Sequence, residues 1–190
     1  MGKIIIASVF CLAWCGGMVR GADNEESVLR TKDPKSQQAR NFLEALTKGD
    51  SKVIEAMLAE DVGGACFGEF VNGREPYMKR LKLVREGLFR DMRFRWASVH
   101  TNYFTLDAIA PSQNILSTET YQEAGDMMAP IWTNIWTSFE AVGRSSKESV
   151  SIPMHIDFRW QDDKIKLILM YYGDSASLKK EIAAYQLSKR

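Results

Sequence analysis

His155 and Asp157 are the side chains of this chain whose types and spacing are best suited to proton transfer. They lie two residues apart in a segment that reads as a β-strand, so alternation places both on one face of a sheet. A carboxylate beside an imidazole can work as a general acid and base, with Asp157 exchanging the proton and His155 orienting it. The alternative is a structural pair whose two polar groups satisfy each other inside an apolar sheet.

Four other side chains are candidates for the lining of a ligand pocket. Trp132 and Trp136 lie four residues apart on one face of a strand, and Trp96 and His100 share one face of an earlier strand. Large aromatic side chains so placed either surround an apolar ligand or fill the core. We predict that these four residues bind a small hydrophobic molecule.

Residues 1–21 have the layout of a secretory signal peptide. A single lysine precedes an apolar run from Ile4 to Val19, which is too short for a comfortable membrane span, and small residues follow around Gly21. A retained membrane anchor is the alternative. We predict an exported protein, either periplasmic or secreted, that keeps no stable membrane span once the leader is removed.

The composition after removal of the leader argues against nucleic acid as a partner. Loss of Lys3 and Arg20 lowers Lys plus Arg from 25 to 23, against 24 Asp plus Glu, so the net charge changes from +1 to −1. Such a balance does not suit the phosphates of nucleic acid. The polar residues 22–34 are predicted to form a flexible lead-in.

Most common catalytic signatures are missing from this sequence. It has two histidines, no glycine-rich phosphate loop, no nucleophile elbow and no spaced cysteine pair beyond the leader. We therefore expect no metal and no cofactor. Cys66 has no basic neighbour that would stabilise a thiolate, so we interpret it as a small apolar core residue.

The elements that must position these side chains begin with helices. Asp33-Pro34 is a helix start and Gly49 a helix end, while Asp50 caps a second helix that stops before Gly63-Gly64. A third helix is predicted from about Glu75 to Phe89, with its run of lysines and arginines facing solvent.

After these helices the hydrophobic period changes from 3.6 to 2. Strands are predicted at 93–102, 115–123, 131–142, 150–161 and 165–172, followed by a last helix from about Ser175. Helices followed by antiparallel strands predict an α+β domain. Because Ile156, Phe158 and Trp160 form an apolar face opposite His155, we predict that a homodimer buries that face.

Three motifs resemble the nuclear transport factor 2-like superfamily, specifically its bacterial SnoaL-like branch. They are the Gly-Asp junction of the helical hairpin, the Asn-Gly-Arg-Glu segment, and the closing His-x-Asp-x-Arg-x-x-Asp-Asp-Lys-Ile with Tyr-Tyr-x-Asp. The resemblance implies a SnoaL-like domain over residues 35–190, with a cone-shaped, curved antiparallel sheet packed against three N-terminal helices. It also implies that Asp157 stands where the cyclases of this branch place a pocket aspartate. We therefore predict that His155 and Asp157 point into the cone, the space between the helices and the sheet where a ligand pocket would lie.

The same resemblance leaves two functions open, because the superfamily includes both enzymes and proteins without catalysis. The first is an exported protein whose apolar pocket binds a small hydrophobic ligand. The alternative is an enzyme of the isomerase, cyclase or dehydratase type with Asp157 as general acid and base. Where the cyclases carry a second charged group, this chain has the apolar run from Ile168 to Met170.

Overall fold

The computed structural model describes residues 27–104 and 131–190, so the predicted leader and the predicted strand 115–123 lie outside the described residues. The elements in chain order are β1 (Ser27–Arg30), α1 (Pro34–Lys48), α2 (Ser51–Met57), β2 (Leu58–Cys66), β3 (Glu69–Asn72), α3 (Arg74–Lys82), a π-helical turn (Leu83–Leu88), β4 (Phe89–Phe104), β5 (Ile131–Gly143), β6 (Ser149–Gln161), β7 (Lys164–Tyr172) and α4 (Ala176–Leu187). The described strands form one curved, unclosed sheet in the order β1-β4-β5-β6-β7-β2-β3. The predicted α+β fold class, with three helices preceding most of the sheet, is confirmed.

The helical hairpin forms where its capping residues predict it. The Asp33 carboxylate accepts a hydrogen bond from the backbone N–H of Ser36 at 3.2 Å, and Gly49 ends α1 with a left-handed φ of 82°. The Asp50 carboxylate then accepts from the N–H of Val53 at 3.2 Å and starts α2. Each of these contacts joins residues that are close together in the chain, so the local sequence is sufficient to predict it.

The second helix is shorter than predicted, and the sheet is mixed. Helix α2 ends at Met57, and the segment predicted to be helical up to Gly63-Gly64 forms strand β2. Strand β2 pairs in parallel with β7, with Gly64 opposite Ile168, whereas the other described pairs are antiparallel. Residues 58–66 adopt the extended conformation because their backbone forms hydrogen bonds with β7. Strand β7 lies about 100 residues further along the chain, so the local sequence pattern does not reveal this pairing.

Part of the predicted lead-in forms a strand in the structure. Within residues 22–34, Ser27–Arg30 form β1, which pairs antiparallel with the edge of β4. A chain of hydrogen bonds ties this strand to the core: the indole N–H of Trp160 donates to Thr133, and the hydroxyls of Thr133, Thr101 and Ser36 connect it to the Arg30 carbonyl. Each hydroxyl accepts one hydrogen bond and donates one, so every donor in this series of hydrogen bonds has an acceptor.

Two arginines of the predicted solvated run are in fact structural. The Arg80 guanidinium donates to the carbonyl of Cys66 at 3.1 Å and to that of Phe67 at 2.7 Å. The Arg85 guanidinium donates to the carbonyls of Leu46 and Thr47 at the end of α1. Both therefore satisfy backbone acceptors that α1 and the β2–β3 turn leave unpaired.

The helices cover the sheet face that carries the even-numbered residues of β6. Ile156, Phe158 and Trp160 are buried, and the Phe158 ring meets that of Phe42 on α1 edge to face at 4.9 Å. A second copy is therefore not needed to bury this face, contrary to the prediction, because α1 of the same chain already covers it. The homodimer itself stays a prediction, and the helices of the described residues leave uncovered the sheet face that carries His155. We call it the outer face.

Strand β4 has two bulges against β5, and they change which residues share a face. Pairing runs from Arg95 with Ser138 to Ser98 with Trp136, so β4 uses one extra residue here. The predicted alternation from 94 to 102 is therefore wrong, since Phe94 lies on the core face while His100 lies on the outer face. A one-residue insertion reverses the side of every residue beyond it.

Candidate functional site

The His155 and Asp157 side chains lie together on the outer face of β6. Asp157 is 8% exposed, and the His155 ring is held beside it with Nε2 at 2.9 Å from Oδ1 of the carboxylate. Despite this short distance, Nε2 makes no hydrogen bond in the described structure, so the contact is not an aligned hydrogen bond. The two side chains are in contact, but they do not form the aligned dyad that strong acid–base coupling requires.

Two asparagines extend this pair across the sheet. Asn134 on β5 donates to the Asp157 carboxylate at 2.6 Å, and Asn102 on β4 donates to the side-chain oxygen of Asn134 at 2.8 Å. Sequence reasoning missed both asparagines. The available signal was the position of Asn134 midway between Trp132 and Trp136, on the same face of the same strand.

Aromatic rings enclose His155 on both sides. The Trp136 ring is stacked on the imidazole with centroids 4.0 Å apart and planes 7° from parallel, and the Tyr171 ring lies at 5.8 Å on the other side. These residues are direct cross-strand neighbours, because β5 pairs Trp136 with His155 and β7 pairs Tyr171 with His155. The row is therefore set by sheet register, and its two outer rings, Trp136 and Tyr171, are each more than half exposed.

A groove of about 490 Å³ runs along this aromatic row. Its lining consists of Trp96, Trp136, Thr137, Ser138, Pro153, Met154, His155, Tyr171, Tyr172 and Gly173, and includes no Asp, Glu, Lys or Arg. Trp96, in the second bulge of β4, is 91% exposed and has a left-handed φ of 56°. This conformation is energetically unfavourable for a residue other than glycine. Strained backbone conformations of this kind are maintained by the surrounding structure and are often found at functional sites.

The predicted site residues are brought together only in part. Trp96, Trp136 and His155 line the groove, whereas Trp132 and His100 lie on the same face but outside its lining. The expectation that His155 and Asp157 point into the cone is wrong, because they point away from the helices. Their roles stay predictions.

The space between helices and sheet, where the ligand pocket was expected, is occupied by aromatic side chains. Phe67, Phe89 and Phe139 are fully buried there, with the Phe139 ring centroid 4.9 Å from that of Phe67 and 5.4 Å from that of Phe89. Such edge-to-face contacts are those of a packed core. A groove on the outer face is therefore the better candidate site.

Metal chemistry has no obvious place in the described part of the chain. Within residues 27–104 and 131–190, no three His, Cys, Asp or Glu side chains come together to hold a metal ion. In the same residues, none of the helices has the length and apolar character that crossing a bilayer requires.

Cys66 lies at the end of β2 and is fully buried. Burial raises the pKa of its thiol to about 12, against which the nearby Arg80 guanidinium has the smaller, opposite effect. We expect the native protein without residues 1–21, which contain the other two cysteines, to react with an aromatic disulfide reagent about 100 times more slowly than the same protein in denaturant. Reaction at the rate of an exposed thiol at pH 7, followed by absorbance, would contradict this placement.

Comparison by sequence finds no matching family model and no matching curated protein. Comparison by structure finds similar folds. A candidate polyketide cyclase from Xanthomonas campestris pv. campestris is 16% identical, with a TM-score of 0.52 over 79% of this chain and 95% of that one. An NTF2-like protein of unknown function from Burkholderia pseudomallei K96243 is 16% identical, with a TM-score of 0.51 over 77% and 95% of the two chains.

A candidate SnoaL-like polyketide cyclase from Shewanella putrefaciens CN-32 is 11% identical, with a TM-score of 0.51 over 80% of this chain and 97% of that one. At these identities the likeness concerns the fold and does not extend to the chemistry.

Proposed function

Because this chain has the nuclear transport factor 2-like fold, whose members differ widely in function, we propose a function from its own groove. We propose that it is an exported binding protein that takes a small, flat, uncharged hydrophobic molecule against Trp136, His155 and Tyr171. Export rests on the leader pattern of residues 1–21. The observation that carries the binding proposal is the charge-free aromatic groove on the outer face.

Exposure supports this assignment. Among the described residues, six large hydrophobic side chains are exposed, and Trp96, Trp136 and Tyr171 are three of them. Exposed apolar rings are unfavourable in water. A ligand that covers them would lower the free energy by about 25 cal/mol for each Å² of apolar surface removed from water. Because the Trp136 and His155 rings are already stacked 4.0 Å apart, no ligand enters between them; a flat ring would instead stack on the other face of Trp136, which is 56% exposed.

The lining also sets the charge of the ligand. No Asp, Glu, Lys or Arg borders the groove, and the polar groups that do are the imidazole, the indole N–H groups, hydroxyls and backbone. A charged molecule would lose hydration there without gaining a partner of opposite charge. A neutral molecule avoids this cost, so we propose a neutral aromatic or fused-ring ligand.

An acid–base enzyme is the second candidate, and the contact of His155 with Asp157 is the observation that favours it. In this geometry the roles differ from those first expected. Asp157 is enclosed and its Oδ1 is already bound by Asn134, whereas His155 lines the groove. His155 would then exchange the proton and Asp157 would position it. The binding function is preferred because the N–H of His155 is not aligned with the carboxylate.

Titration with N-phenyl-1-naphthylamine, a neutral fluorescent aromatic probe, tests the binding proposal. We expect saturable fluorescence enhancement that Trp136→Ala and Trp96→Ala each weaken about tenfold, which is about 1.4 kcal/mol per ring. Trp96 is almost wholly exposed, so its removal leaves the fold intact. Phe70→Ala is the matched control, because Phe70 is 58% exposed on β3 and lies outside the groove.

Two results would contradict the proposal. One is equal affinity in Trp136→Ala and Phe70→Ala, which would place the probe elsewhere. The other is a homodimer, measured by light scattering, that Trp136→Ala converts to monomer while the wild type binds no probe. In that case a second copy of the chain would be the occupant of this face.

A further inference from the structure

A second pocket, distinct from the aromatic groove, lies between the end of α1 and the start of β4. Its volume is about 300 Å³, and its lining consists of Thr47, Arg85, Phe89, Arg90, Asp91, Met92, Arg93 and Arg144. Four of these eight residues are arginines from three parts of the chain. Arginine offers a planar set of donors that matches the oxygens of phosphate and carboxylate groups.

The first bulge of β4 places two of the arginines on one face. Arg90 pairs with Val142 and Arg93 pairs with Glu140, so three steps along β4 match two steps along β5. In a regular strand, side chains three positions apart point to opposite faces. The extra residue, with Asp91 at a left-handed φ of 56°, gives Arg90 and Arg93 the same side.

The other two arginines are held by backbone carbonyls. Nη1 of Arg85 donates to the carbonyls of Leu46 and Thr47, and Nε of Arg144 donates to those of Arg85 and Phe89 at 3.0 and 2.9 Å. Each guanidinium keeps further N–H groups that these bonds do not use. Donors held in this way lose little conformational entropy when an anion binds.

Charge in this pocket is not balanced. Asp91 is the one carboxylate of the lining and is bound to Arg90 at 2.6 Å, while the Arg93 guanidinium makes no hydrogen bond or ion pair within the described residues. The nearby Glu140 is bound to Arg95. Phe89 and Met92 are buried beneath the pocket, and an apolar floor strengthens the field of the charges above it.

We propose that this pocket binds the phosphate group of a small phosphorylated molecule. Arg93 and Arg144 supply the N–H donors toward the phosphate oxygens, and Arg85 and Arg90 contribute charge. The volume accommodates a phosphate with a short organic group attached. The same chemistry would accept a phospholipid headgroup at a membrane surface, and the experiment separates the two sources. The proposal is independent of the aromatic groove.

Calorimetric titration of the full protein with inorganic phosphate and with glycerol 3-phosphate, against sodium chloride at equal ionic strength, tests the site. We expect saturable binding of both phosphates, weakened about tenfold by Arg93→Gln and at least tenfold by Arg93→Glu. The Arg93 side chain is exposed and its guanidinium bonds to no described residue, so we expect these variants to fold. Arg74→Gln is the matched control, because Arg74 pairs with Glu60 away from this pocket.

Sedimentation with vesicles of phosphatidylcholine, with and without phosphatidylglycerol, distinguishes the sources. Binding of the anionic vesicles that Arg93→Gln weakens, without binding of free phosphate, would assign the site to a lipid headgroup. Binding of free phosphate without vesicle binding would assign it to a soluble phosphate ester. Absence of both, or equal binding by wild type and Arg93→Glu, would overturn the proposal.

Discussion

Gly64→Ala is expected to lower the free energy of unfolding by about 3 kcal/mol, the upper end of the usual cost of overpacking. A methyl group at position 64 would lie 2.8 Å from the carbonyl oxygen of Ile168 and 2.9 Å from its Cβ. The oxygen belongs to the backbone of β7, so it cannot turn away as a flexible side chain would. Strand β2 would have to separate from β7, and with it β3 at the edge of the sheet.

The preceding glycine is the matched control. A methyl group at position 63 would meet the Asn72 side-chain oxygen at 3.2 Å and Leu167 Cδ1 at 3.7 Å, and both atoms can move. We expect Gly63→Ala to change stability by less than about 1 kcal/mol. Urea unfolding followed by circular dichroism measures both variants. Equal stabilities would mean that β2 does not approach β7 as closely as described.

Glu181→Gln is expected to cost about 2 kcal/mol at pH 7, through loss of charge-assisted hydrogen bonds. Glu181 on α4 is buried, and its two carboxylate oxygens accept from the backbone N–H groups of Ser145 at 2.8 Å and Ser146 at 3.0 Å. Glutamine presents an NH₂ group to one of these donors, which leaves that N–H without an acceptor. The turn between β5 and β6 would then lose its link to α4.

This carboxylate also makes stability depend on pH. Burial by itself would raise the pKa of Glu181, but hydrogen bonds from Ser146 and Ser145 outweigh burial and hold the pKa below its ordinary value of 4.5. A group whose pKa is lower in the folded state stabilises the protein above the unfolded value. Its contribution is therefore complete above about pH 4.5 and is lost as the pH falls through the folded pKa.

Urea unfolding at several pH values between 3 and 7 checks this expectation. The wild type should lose stability below about pH 4.5 more steeply than Glu181→Gln, so that the two curves converge in acid. Glu148→Gln is the control, because Glu148 is an exposed partner of Lys180 at 2.6 Å and contacts the same helix. We expect it to cost less than about 1 kcal/mol. Parallel curves for wild type and Glu181→Gln would contradict the assignment.

Local signals predicted most of the helices and strands. The caps of α1 and α2 depend on side chains two or three residues from the N–H groups they bind, so Asp33 and Asp50 were sufficient to locate them. Alternation likewise predicted β5, β6 and β7 to within one residue at each end. Strand β2 was missed because its ladder comes from a distant partner, and the bulges of β4 were missed because pairing with β5 creates them.

The sequence by itself determined that His155 and Asp157 share a face, since alternation along a strand is local geometry. It likewise determined that Trp132 and Trp136 share one. Only the tertiary structure decided which face this is: α1 packs on Phe158, so the polar pair points away from the helices. The two faces of β6 both carry large side chains, and the choice between them depends on which face buries more apolar surface against α1. The area of apolar surface buried against α1 is a property of the folded chain, and no local sequence pattern indicates it.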